Sequence, residues 1–148
     1  VHPEITPPSN FHHLRDTTDI AVHFIAGRER ELLAWYFWHW SSNPDAVGMD
    51  DFEVYLRQLQ KPGALRGGFM HFASVFEDMA TFKGYAGHRL TMPLLGLGGE
   101  RGAGAYVQQA LTQMGDDVSG GIVAGAGHWI ADETPDALAR EVIAFLKG

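Results

Sequence analysis

Apolar side chains recur at helical spacing from Asp16, a residue suited to capping a helix, through Ile20, Phe24, Ile25, Leu32, Leu33, Tyr36 and Phe37. The pattern predicts one long helix, or two broken at Gly27, ending before Ser41-Ser42-Asn43-Pro44. A second helix follows, capped by Asp50, carrying Phe52, Val54, Tyr55, Leu56 and Leu59 and stopped by Lys61-Pro62-Gly63. A third stretch, from about Ala64 to Phe82, places Leu65, Phe69, Phe72, Val75, Phe76 and Met79 at spacings of three and four.

After Gly84 the texture changes. Met92-Pro93-Leu94-Leu95-Gly96-Leu97-Gly98-Gly99 is a short apolar run bounded by glycines, as expected of a buried parallel strand. Ala105 to Met114 reads as a helix and Gly120 to Ala124 as a second short strand. Thr134-Pro135 reads as an N-cap and first-turn proline opening a last helix to Leu146. The opening nine residues, with Pro3, Pro7 and Pro8, suit neither a helix nor a central strand. The expected division is a loose arm over 1–15, a helical region over 16–88 and a β-α-β-α segment over 89–148. A parallel sheet of two short strands leaves its edges open, so we expect another chain or a second copy of this one to complete it.

Composition narrows the partners. The 148 residues are 45% hydrophobic and 20% charged, ordinary for a soluble globular chain, cytoplasmic by default, and long enough to bury one core. A formal charge of −7 disfavours a general nucleic-acid or anionic-membrane surface, which needs clustered Lys and Arg. No apolar run reaches the roughly 20 residues that span a bilayer. With no cysteine there is no disulfide framework and no thiolate chemistry. The histidines, among them His23, His39 and His88, form neither His-x-x-x-His nor His-x-His spacing, so no metal is expected, and His12-His13 read as a polar turn. Gly96-Leu97-Gly98-Gly99-Glu100-Arg101-Gly102 sets its third glycine one place late for a dinucleotide fingerprint, so a tight turn is expected and no cofactor.

The stretch with most chemical content is Gly125-Ala126-Gly127-His128-Trp129, just past the second strand. Glycines let such a loop turn sharply and hold an imidazole, whose ordinary pKa lies near neutrality, where it can take a proton from water. With the segments before it, this end of the chain resembles the C-terminal half of α/β-hydrolases of the epoxide hydrolase and haloalkane dehalogenase kind. Ile25-Ala26-Gly27-Arg28-Glu29-Arg30, Trp35-Tyr36-Phe37 and Lys61-Pro62-Gly63-Ala64-Leu65-Arg66-Gly67-Gly68-Phe69 are similar to that family's helical cap, and Leu90 to Glu100 to its penultimate strand.

The resemblance implies a partial α/β-hydrolase fold: a cap-like helical segment, then β-α-β-α. It implies His128 as the general base that hydrolyses an alkyl-enzyme ester, and a substrate that is an epoxide or a similarly small apolar electrophile. The family's nucleophile is an aspartate on a sharp strand-to-helix turn, and the chain is expected to hold no such elbow. The expected partner is therefore the missing N-terminal hydrolase segment or a second copy. Where the family's cap offers tyrosine in Phe-x-Tyr-Tyr, this chain has Phe69-Met70-His71-Phe72, which makes His71 a candidate proton donor. Many relatives carry an acid where Gly102 stands, leaving Glu100 as the nearest local carboxylate to partner His128. Trp35, Tyr36, Phe72 and Trp129 are the candidate walls of an apolar pocket. The competing expectation is a non-catalytic, self-associating or ligand-binding remnant of the same fold.

Overall fold

The computed structural model describes residues 18–85 and 87–148. The expected arm, the Asp16 cap and the pair His12-His13 lie outside the described residues. Within them the chain forms α1 (Thr18–Ile25), α2 (Glu29–Trp40), α3 (Met49–Leu59), α4 (Ala64–Ala73), α5 (Val75–Gly84), β1 (Leu94–Gly99), α6 (Tyr106–Thr112), β2 (Val118–Val123), α7 (Ile130–Glu133) and α8 (Pro135–Lys147). The expected order, helices first and then β-α-β-α, is the observed one. Residues 18–32 and 53–84 make one compact unit, and 33–52 with 85–148 make another. The expected boundary near residue 88 therefore misses 33–52, which belong with the C-terminal part of the chain.

In the first unit α1 and α2 are separate helices. Gly27 between them has φ of 81°, a backbone shape glycine takes without steric cost. Ala21, Leu65 and Phe69 form the buried centre, with Val22, Ile25, Leu32 and Leu59 packed against it. An Arg66–Asp19 ion pair joins α4 to α1, and Arg30 Nη2 meets Glu53 Oε1 at 2.7 Å. The apolar spacing of 64–82 continues through a real interruption: α4 stops at Ala73, and α5 begins after Ser74, whose hydroxyl donates to His71 O at 3.0 Å. α5 leaves Phe76, Met79 and Phe82 exposed.

The second unit holds the sheet. β1 and β2 pair in parallel, from Leu94 opposite Val118 to Gly99 opposite Val123, with a further parallel bridge between Leu90 and Gly115. α6 connects the two strands and packs closely on β1: a Cβ at Gly96 would come within 2.8 Å of the Gln108 backbone. Two expected caps act differently. α3 starts one residue before Asp50, because Gly48 O already accepts the N–H of Phe52 at 2.9 Å, which places Asp50 in the first turn. Thr134 precedes Pro135 at the start of α8, but its hydroxyl donates back to Ile130 O at 3.2 Å instead of capping.

Candidate active-site loop

Pro44 determines where the loop attaches. In a longer α2 the carbonyl of Trp40 would accept from the residue four places on, but that residue is Pro44, which has no N–H. The N–H of His128 takes the place, donating to Trp40 O at 2.8 Å. Gly127 makes the approach possible, since a Cβ there would lie 2.5 Å from both Trp40 O and Ser42 N. The loop between β2 and α7 is thus fixed to the end of α2, within the second unit.

Aromatic rings surround His128 on that anchor. Its exposed imidazole lies 4.9 Å from the Trp40 ring and 4.7 Å from that of Trp129, perpendicular or nearly so to each, and the two indoles are within 20° of parallel. Trp40 continues the set to Tyr36 at 4.7 Å, and Tyr36 to Trp35 at 5.5 Å. Phe37, buried, reaches Trp129 at 4.9 Å. Burial pushes the Tyr36 phenol up to about 12. The structure therefore brings together Trp35, Tyr36, His128 and Trp129 of the sequence-derived set, with Trp40 added. His71 and Phe72 are exposed on α4 in the other unit, where their rings are 5.8 Å apart.

Glu100 is occupied otherwise than as the partner of His128. Its Oε2 accepts the N–H of Gly125 at 2.9 Å, bracing the start of the loop. Among the described residues no hydrogen bond reaches the His128 ring. A Cβ at Gly102 would stand 2.7 Å from Gly127 O and 3.4 Å from the His128 N, so that position lies directly against the loop. His39 Nδ1 lies 3.0 Å from Trp35 O, and its ring stacks on Trp35 at 4.4 Å. Among the described residues no group of three or more His, Asp or Glu could hold a metal ion, and no helix is long and apolar enough to cross a membrane.

One string of residues does fit the letter pattern of a nucleophile elbow: Gly115-Asp116-Asp117-Val118-Ser119-Gly120 has the spacing Gly-x-Asp-x-x-Gly. It runs the wrong way, from the end of α6 into β2, helix to strand. Asp117 O accepts the N–H of Leu94 at 2.8 Å and Asp116 pairs with Arg89 at 2.6 Å, both structural tasks.

The residue that sequence reading missed is Glu133. Its Oε2 accepts the N–H groups of Ser42 at 2.5 Å and Asn43 at 3.0 Å, and its Oε1 that of Trp129 at 3.0 Å. None of these partners is legible in sequence: Trp129 is not a Ser or Thr and lies four places before Glu133, outside the spacing of a capping box, and Ser42 and Asn43 are about ninety residues away.

The chain is 25% identical over 103 residues to the soluble epoxide hydrolase of Corynebacterium sp. strain C12, and 30% identical over 101 residues to human epoxide hydrolase 4. Its fold matches the solved epoxide hydrolase CorEH with a TM-score of 0.83 at 23% identity, covering 93% of this chain. Over these stretches the chain is similar to epoxide hydrolase-like α/β-hydrolases. It corresponds to the C-terminal half of that fold, and its two strands and helices are part of an α/β-hydrolase architecture. The matches cover 70% and 66% of this chain but 36% and 27% of the two relatives, and 48% of the solved chain. No established family profile matches the sequence.

Proposed function

We propose that these residues are the base-presenting half of a hydrolase acting on epoxides or similarly small apolar electrophiles. The supporting observation is the His128 loop: an exposed imidazole edge-on to two indoles, on a backbone tied to Trp40, in a chain whose relatives are epoxide hydrolases. In this reading a carboxylate outside the 148 residues attacks an epoxide carbon, the carbon–oxygen bond breaks, and the resulting oxyanion is protonated. His128 then takes a proton from water, and the hydroxide attacks the ester carbonyl, releasing a diol and regenerating the carboxylate. In this reading Trp35, Tyr36 and Trp129, which the loop's own unit brings together, contribute apolar wall. The test is styrene oxide hydrolysis by the native protein that carries these residues. His128→Ala is expected to lower turnover by about a hundredfold or more; equal rates would remove His128 from the mechanism.

A second reading rests on the sheet. Among the described residues β1 and β2 pair only with each other, and Ile122 on β2 is exposed. A non-catalytic module that buries these edges against a second copy fits that observation. Gel filtration of the 148-residue chain separates the two: a well-folded dimer supports self-association, whereas aggregation supports a half that needs the rest of a hydrolase.

A further inference from the structure

Glu133 has three backbone hydrogen bonds from two distant segments, an arrangement that surface helix residues do not need. Its Oε2 holds Ser42 and Asn43, directly after α2, and its Oε1 holds Trp129, directly after His128. The carboxylate is half-buried, and each bond is charge-assisted, which makes such contacts shorter and stronger than neutral ones. His128 is thereby fixed on both sides of its Cα. Its own N–H is bound to Trp40 O, and the next N–H along the chain is bound to Glu133.

With both flanking peptide units anchored, the direction of the His128 Cα–Cβ bond is set by α2 and α7 together. The Glu100 carboxylate adds a third brace further back, at Gly125.

We infer that Glu133 is the positioning residue of His128: a carboxylate that aims the ring through the backbone, in a chain whose imidazole has no carboxylate bonded to it among the described residues. This rests on the reading of His128 as the working group, but its test does not depend on catalysis. A group that acts through geometry must change the surroundings of the His128 ring when it is removed, whereas a purely stabilising group need not.

The experiment compares the native protein that carries these residues with its Glu133→Gln variant by NMR. The flanking indoles, 4.9 and 4.7 Å away, shift the His128 ring protons by their ring currents. In Glu133→Gln those signals are expected to move toward the position of the exposed His71, which itself stays unchanged. Amide exchange at Ser42, Asn43 and Trp129 is expected to speed by about tenfold or more, while α4 keeps its protection. Glu133→Asp keeps the charge but shortens the reach, and is expected to give the same pattern, so it answers if the glutamine variant fails to fold. Unchanged His128 ring signals in a folded variant overturn the inference, as does uniform loss of protection in both variants. If instead the ring moves as expected and His128→Ala leaves hydrolysis unchanged, the positioning stands and the proposed function falls.

Discussion

Pro44 withholds the N–H that would continue α2, and the Trp40 carbonyl left open is where His128 attaches. The turn that carries His128 was legible in the sequence, because its glycines follow an apolar strand. Trp40 and Glu133 were not, since their roles depend on backbone groups about ninety residues distant and leave no periodicity. Glu100 is the carboxylate nearest to Gly102 along the sequence, but its Oε2 braces Gly125. Tyr36 carries the pH dependence that belongs to this scale. Its folded value, about 12, lies above the ordinary 10.0 because burial disfavours the charged phenolate. As pH rises past 10.0 the unfolded chain releases this proton first. The group's contribution is thus intact below that point and is lost as pH climbs toward about 12. Urea midpoints on either side of the window are expected to fall in the wild-type chain, and Tyr36→Phe to flatten the decline.

Elements were read well where periodicity changes and poorly where it persists. Gly27 and the glycine-bounded strand mark real boundaries, but apolar spacing of three and four runs through Ser74 without a sign that α4 ends there. α7 is a single turn, too short to show a period, yet it places Glu133 against the end of α2. The contact between that end and the His128 loop tolerates no side chain at Gly127. Gly127→Ala would set a methyl 2.5 Å from Trp40 O and Ser42 N. It is expected to destabilise the chain by about 1–3 kcal/mol through forced backbone movement. A lowered urea midpoint at unchanged slope would show this, and an unchanged midpoint would mean the loop is not held as closely as described.

On the scale of the whole molecule, hydrophobic patterning conveyed the order of elements but not their grouping. Residues 33–52 belong with 85–148 because the end of α2 is bonded to His128 and Glu133, a link that only the folded backbone reveals. The chain spans 36% and 27% of its curated relatives and about half, 48%, of the solved epoxide hydrolase it resembles, so the nucleophile of the proposed reaction is sought outside these residues. A base without its nucleophile makes a specific demand: removing the base should stop the reaction after the covalent step and not before it. Intact-mass measurement of the native protein in excess styrene oxide tests this directly. His128→Ala is expected to gain and keep the mass of one styrene oxide, carried on a carboxylate outside the 148 residues, while the unaltered protein releases diol. A His128→Ala protein that turns over at the unaltered rate and retains no adduct would contradict the account.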